Sequence, residues 1–303
     1  MIRKKTILYF AFFIYVTKVF TQDLEPRFLS SAPLGTNFSG LVYGFSSGDI
    51  LLNSQEVENL NTKLNTVAGF YGRSFKILNK PAKIDTSIPY SFGNLQAFIY
   101  EKDTSVYKNG LGDLSARLSM ILVGEKALTK REFAIREPAK FKLGAALKIR
   151  APIGTYDETK LINFGANRWS FQFKIASSYN ISQKIILEAH IGSWFFTNNK
   201  NFNNGSTLKQ EPLLSAQLHF AYIFNPKLWM SASIGQIAWG ETIIDDVAQN
   251  NHQENSKYAL TASYKIGKQS SLNTSLTNGL YTSRGANFST FLVSYSLIWF
   301  DRK

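Results

Sequence analysis

Between residues 141 and 151 the chain alternates strictly. Phe141, Leu143, Ala145, Leu147 and Ile149 occupy the odd positions; Lys142, Gly144, Ala146, Lys148 and Arg150 occupy the even ones. A period of two predicts a β-strand with one apolar and one polar face. Trp169, Phe171, Phe173 and Ile175 repeat the pattern on the return, with Ser170, Gln172 and Lys174 opposite. The two halves, joined by a polar loop holding Pro152 and Gly154, form a hairpin. The apolar face is as continuous as one that meets lipid. A slip of one residue would turn Lys142, Lys148 and Arg150 toward it, at roughly 2–4 kcal/mol each near a bilayer midplane, so register is fixed.

Twelve stretches read this way: 36–46, 63–75, 81–91, 112–123, 140–151, 168–179, 184–196, 212–224, 228–239, 256–266, 270–279 and 287–300. The first, second and eleventh alternate less cleanly. Their connections alternate in length. Those at 76–80, 180–183, 225–227 and 267–269 are tight, whereas 47–62, 92–111, 152–167, 197–211 and 240–255 are long and polar. Outer-membrane barrels have this parity, with short periplasmic turns and long outer loops. The connection 124–139 breaks it, and a short helix is expected there. Aromatic residues gather at both strand ends: Tyr71, Phe75, Tyr179, Phe224, Trp229, Tyr264 and Trp299 on one side, Phe45, Tyr90, Trp169, Phe195 and Trp239 on the other. These predict two interfacial girdles. The fold class is therefore all-β, a transmembrane antiparallel up-and-down β-barrel of about 12 strands, its polar positions lining the lumen.

Composition agrees. The 303 residues include 24 Phe, 14 Tyr and 5 Trp but no Cys, which excludes disulfides, thiolate metal sites and a cysteine nucleophile. The formal charge of +13 is scattered rather than gathered in a stripe, which argues against a nucleic-acid partner. At the N-terminus, Arg3-Lys4-Lys5 precedes an apolar run over residues 7–16, too short to span a bilayer. This predicts a secretory signal peptide at 1–21, followed by a barrel at 22–303, Sec export and an outer-membrane location in a Gram-negative bacterium. Residues 23–35 read as a polar, proline-containing lead-in. Trp299 and Phe300 resemble the C-terminal signal read by barrel-assembly machinery, although Asp301-Arg302-Lys303 follow.

Several segments resemble the bacterial family called putative MetA-pathway of phenol degradation proteins. They are Asp23-Leu24-Glu25-Pro26-Arg27, residues 32–38, residues 46–49, Gly110-Leu111-Gly112-Asp113, residues 151–157, Leu161-Ile162-Asn163 with Gly165, Asn167-Arg168-Trp169-Ser170-Phe171, and Trp194-Phe195-Phe196-Thr197 with Asn199 and Phe202. The likeness spans essentially the whole chain after the leader; Gln172 and Phe173 stand where a proline is expected. It implies an outer-membrane transporter-like barrel for small aromatic or hydrophobic compounds, without naming a substrate.

By the alternation, Lys83, Asp85, Asp113, Arg117, Lys142, Lys148, Arg150, Lys174, Glu188, His190 and His219 line the lumen and the solute path, with excess positive charge that favours anions. The loop after residue 151 brings Tyr156, Asp157, Asn163, Asn167, Arg168 and Trp169 to the mouth, where it narrows the barrel or clips its rim. His190 and His219 point inward, away from arriving lipid, so no catalytic residue is assigned. His252 with Asp245, Asp246 and Glu254 lacks a fixed ligand spacing, and no metal or cofactor is assigned. The expected function is a passive channel or transporter for small solutes, with the lipid bilayer, the assembly machinery and the solute as partners. Two alternatives stand beside it. An enzyme acting on lipid would show a close Ser/His/acid arrangement; a structural or surface-binding barrel would show a plugged lumen. Solute, transport direction and oligomeric state are not specified by the sequence.

Overall fold

A computed structural model describes residues 24–51, 57–99, 102–160 and 162–301; the signal peptide expected at 1–21 lies outside them. The strands are β1 (Thr36–Leu51), β2 (Val57–Ile77), β3 (Lys80–Ile99), β4 (Lys102–Leu111), β5 (Leu114–Val123), β6 (Phe141–Ala151), β7 (Ser170–Asn180), β8 (Ile185–Phe196), β9 (Asn199–Phe202), β10 (Ser206–Gln210), β11 (Leu213–Asn225), β12 (Leu228–Trp239), β13 (Thr242–Ile244), β14 (Val247–Ala248), β15 (Gln253–Lys265), β16 (Ser270–Thr282) and β17 (Gly285–Phe300), with one helix, α1 (Lys130–Ile135). Twelve strands form an antiparallel ring in the order β2-β1-β17-β16-β15-β12-β11-β8-β7-β6-β5-β3, closed by β2 against β3. The expected barrel is therefore observed. β4 hangs on β3 outside the ring, and β9, β10, β13 and β14 form a separate four-stranded sheet.

The alternation that predicted the strands has its physical reason in the exposure of their outer faces. Leu41 is 64% exposed, Ile191 61% and Leu218 60%, parts of a broad band of exposed apolar side chains that would be an aggregation-prone patch in water but is natural against lipid. Their neighbours Gln217, His219 and His190 are buried inside.

Some long connections are corrected to strands. The loop expected at 92–111 is a hairpin, since β3 pairs with β5 over 82–87 and then with β4 over 90–99. Pro89 sits at the handover, where it has no N–H to give the ladder, and its carbonyl accepts from Gly112 at 2.8 Å. A strand crosses a bilayer in about 9–11 residues, so β2 with 21 and β3 with 20 project beyond it, where polar residues such as Asn94 and Gln96 replace the lipid-facing ones. The loops at 197–211 and 240–255 likewise supply β9, β10, β13 and β14.

Two further expectations change. In β5 the alternation expected to reach residue 123 breaks after Ile121, which is buried on the inward side: a register shift between Ile121 and Val123 turns Val123 out, 49% exposed. Trp229, expected in a girdle, shares the inward face with buried Ser231 and Ser233, and Arg27 lies 5.1 Å over its ring. The expected helix in 124–139 is present as α1. Thr129 caps it: its hydroxyl accepts from the Glu132 N–H at 3.4 Å, while the Glu132 carboxylate accepts from the Thr129 N–H at 2.7 Å.

Candidate solute path through the lumen

The lead-in before β1 folds into the barrel. Gly35 and Thr36 stand at the rim of the short turns, and from there residues 24–34 run up the inside. Phe28 and Leu29 are 7% and 2% exposed and pack on Ile121, Ala146 and Ala176 of β5, β6 and β7. Burial of the two side chains is worth about 1.5–3 kcal/mol each. Pro26 and Pro33 keep the segment from joining the sheet as a strand.

Polar groups of the wall close around this segment. Glu25 accepts from Arg117 at 2.6 Å and from Lys174 at 2.7 Å. Arg117 also grips Asp85 of β3 with two hydrogen bonds of 3.0 Å. Lys142 donates to the Leu29 carbonyl at 2.8 Å, and Lys83 to the carbonyls of Phe28 and Ser30, both at 3.3 Å. The Phe28 N–H donates to Glu188 at 3.1 Å. The Phe28 ring meets the His190 ring at 5.4 Å, with the Lys174 ammonium 5.0 Å and the Arg117 guanidinium 5.3 Å from it. Behind His190, His219 Nε2 stands 3.2 Å from His190 Nδ1, and His219 Nδ1 2.8 Å from the Ser233 hydroxyl. The structure thus gathers Lys83, Asp85, Arg117, Lys142, Lys174, Glu188, His190 and His219 into one network around residues 25–30. Sequence reasoning missed the segment itself. Its signal was an acid and two adjacent apolar residues, Glu25 and Phe28-Leu29, beside a wall with surplus cations.

The opposite inner wall is different. On β1, β2 and β17 the lumen side carries Phe38, Ile50, Leu64, Phe70 and Leu292. Glycines across the ladder let these side chains lie flat: a Cβ on Gly72 would stand 2.1 Å from the Phe38 ring, and one on Gly44 2.7 Å from Leu292. The lumen has a charged half filled by the N-terminal segment and another in which these apolar side chains stand among small polar ones such as Ser46, Thr66, Thr261, Asn273 and Thr290.

Above the segment, on the side of the long loops, lies a cavity of about 130 Å³. Ile50, Leu64, Leu95 and Phe164 line it together with Lys148, Arg150 and Asp113. Arg150 lies 4.3 Å over the Trp194 ring. Asp113 accepts from the amides of Gly154 and Ala166, both at 3.1 Å. It thereby ties down both ends of the mouth loop where Gly154 and Gly165 pack so closely that a Cβ on either would stand 2.6–2.7 Å from the other's backbone.

Within that loop, Asn163 lines the cavity, and its side chain bonds the Asp157 N–H and the carbonyls of Asp157 and Lys160, each at 2.9 Å. Hydrogen bonds from the Thr159 hydroxyl and N–H hold the Asp157 carboxyl below its usual range. Tyr156 donates to the Asn201 carbonyl at 3.0 Å, and Asn167 to the Asn199 side chain at 2.9 Å, which pins the loop to β9. Arg168 bonds Gln210 and stacks 4.4 Å over Phe196. Trp169 is 45% exposed and faces outward in the girdle. Asp245 accepts from the Thr207 N–H and Asp246 pairs with Lys209 at 2.5 Å. No group of three metal-ligating side chains occurs among the described residues.

The family model described as "Putative MetA-pathway of phenol degradation" matches residues 56–296. Among solved structures, the COG4313 outer membrane channel from Pseudomonas putida F1 is 20% identical, with a TM-score of 0.74 over 91% of this chain and all of that one. The beta domain of the Bordetella autotransporter Brka is 11% identical, with a TM-score of 0.54 over 88% of this chain and all of that one. The transport unit of the autotransporter AIDA-I from Escherichia coli is 11% identical, with a TM-score of 0.52 over 95% of both chains. No curated protein matches the sequence.

Proposed function

This chain belongs to the family described as "Putative MetA-pathway of phenol degradation", and from that premise we propose that it is a passive channel or transporter. It carries small apolar solutes, aromatic ones included, across the outer membrane of a Gram-negative bacterium. The observation that carries this reading is the divided lumen. The N-terminal segment occupies the charged half, so the wall left to a solute carries Phe38, Phe70, Leu292, Ile50 and Leu64 among small hydroxyl and amide side chains. An apolar solute loses little on leaving lipid or water for such a wall, whereas a strongly hydrated one finds few partners. The fold shared with an outer membrane channel supports the same reading.

The line Ser233–His219–His190–Glu188 has the residue types of a hydrolytic site. Ser233 is 6% exposed, two imidazoles stand between it and the acid, and Glu188 already holds the Phe28 amide. The line supports docking of the segment rather than attack on lipid.

The experiment is influx of N-phenylnaphthylamine into vesicles with a lipopolysaccharide outer leaflet. The reading expects faster influx with the protein than without it, slowed by Gly72→Ala and Gly44→Ala, which push Phe38 and Leu292 off the wall into the lumen. Influx equal to that of empty vesicles would overturn it.

A further inference from the structure

We propose that a groove on the lipid-facing wall is a binding site for an anionic glycerophospholipid of the periplasmic leaflet, with an acyl chain lying in the groove and the phosphate meeting Lys140, Lys184 and Lys227. The inference goes beyond the channel reading and does not depend on it.

The groove is open, holds about 550 Å³ and crosses β7, β8, β11 and β12. Two cross-strand rows of outward side chains form it. The first runs Tyr179, Leu187, Phe220, Ala232 and the second Ser177, Ala189, Leu218, Ile234. The small residues at opposite corners make the floor, and the large ones, all exposed, make the flanks. The Ser177 hydroxyl donates to the Ala189 carbonyl at 3.4 Å. Glu188, His219 and Ser233 border the groove as the strand backbone between outward neighbours; their side chains are buried in the lumen network by the alternation. Inside a bilayer one acyl chain replaces another with no hydrophobic gain, so the groove holds a chain by packing contact alone. The class of lipid is decided at the end of the groove.

There the short turns of the same strands carry lysines. Lys184 closes the turn from β7 to β8, and its carbonyl accepts from the Ile223 N–H at 2.8 Å, which sets it beside the end of β11. Lys227 lies in the turn from β11 to β12. Lys140, just ahead of β6, stands 5.6 Å over the ring of Tyr179, which flanks the groove, so its ammonium is held on the lipid side of the wall. All three lysines are exposed, and among the described residues none pairs with an acid. Glu137 is the only acid within three residues of any of them along the chain. Leu187 is three residues from Lys184, about 10 Å of strand, so a chain seated beside Leu187 brings its headgroup to the lysines. Flexible ammonium groups at the interface attract anionic headgroups. A zwitterionic lipid with the same chains fits the groove without that gain.

The test is native mass spectrometry of the full barrel in non-ionic detergent, titrated with phosphatidylglycerol and phosphatidylethanolamine of identical acyl chains. Phosphatidylglycerol should bind at least about tenfold more tightly. Lys184→Gln combined with Lys227→Gln should bring the two lipids close to parity, and retained binding of phosphatidylethanolamine would show that this variant has folded. Ala189→Leu combined with Ala232→Leu, outward apolar changes of the kind a lipid-facing wall accepts, fills the floor and should weaken both lipids alike. Equal affinity for the two lipids in the native protein, a preference that survives loss of the lysines, or binding indifferent to the filled floor overturns the proposal. A dimer that the filled floor separates would give the groove to a second copy of the chain and overturn it as well.

Discussion

Replacing Glu25 by Gln isolates the charge that ties the N-terminal segment to the wall. Glu25 is the acid shared by Arg117 and Lys174, at 2.6 and 2.7 Å. After the change Arg117 keeps Asp85. Lys174, whose side chain is 6% exposed, is left an ammonium without its carboxylate. Breaking a buried pair from one side costs about 3–5 kcal/mol. The glutamine oxygen recovers about 1 kcal/mol through a neutral hydrogen bond, which leaves a net loss of about 2–4 kcal/mol. At 1.4 kcal/mol per factor of ten, the ratio of docked to undocked segment falls by roughly 30-fold to 700-fold. The chain has no native cysteine, so Ser31→Cys gives a single reporter on the segment. Its labelling by a water-soluble maleimide reads the undocked population when docking is fast. In the Glu25→Gln background the labelling rate should rise at least about 30-fold. An unchanged rate would mean that Phe28 and Leu29, not the charges, hold the segment, and would refute the reasoning.

Two further outcomes are expected. Leu218→Arg places a cation on the lipid face near mid-strand and should cost about 2–4 kcal/mol in reversible denaturant unfolding from vesicles, whereas arginine at Trp239, near the strand end, should cost about 1 kcal/mol or less; equal costs would contradict the placement of the belt. At α1, hydrogen bonds from the Thr129 hydroxyl and N–H hold the Glu132 carboxyl below its ordinary pKa. A folded value below the unfolded one adds stability above the unfolded pKa that disappears as pH falls through the folded one. Amide protection of residues 133–135, corrected for intrinsic exchange, should therefore hold from neutral pH down to the ordinary carboxylate range and drop below it; Thr129→Ala should flatten that dependence, and a flat profile in the native protein would exclude the capping box as its source.

The ring of strands was legible because lipid outside and polar groups inside impose a period of two, and because turns and loops differ in length on the two sides. The weakly alternating first and second stretches were weak for a reason visible only in three dimensions. β1 and β2 carry apolar side chains on both faces, with Leu41 and Val67 toward lipid and Phe38, Leu64 and Phe70 toward the lumen. A rule that sends every apolar side chain outward hides that inner wall. The hairpin of β3 and β4 was lost because alternation fades once strands leave the bilayer. Trp229 was misplaced because position near a strand end says nothing about face. The candidate charges, by contrast, were assigned by parity alone. What they surround could not be read, because Glu25 meets Arg117 92 residues away and Lys174 149 residues away, and no local pattern encodes such pairings.

The pairing of β1 with β17 joins Thr36 to Phe300 and Leu51 to Gly285 along its full length, and the Asp301 N–H donates to the Gly35 carbonyl at 3.0 Å. This sets an order of events in folding. β1 has no partner on that side until β17 is in place, so the wall closes only with that pairing. Residues 24–34 enter from the same rim at which β1 begins, and nothing in the ring has to be threaded around them. Filling of the barrel is thus not topologically tied to its closure: withdrawing the segment from a closed ring would leave the wall intact and take from Lys142 and Lys174 their partners on Leu29 and Glu25.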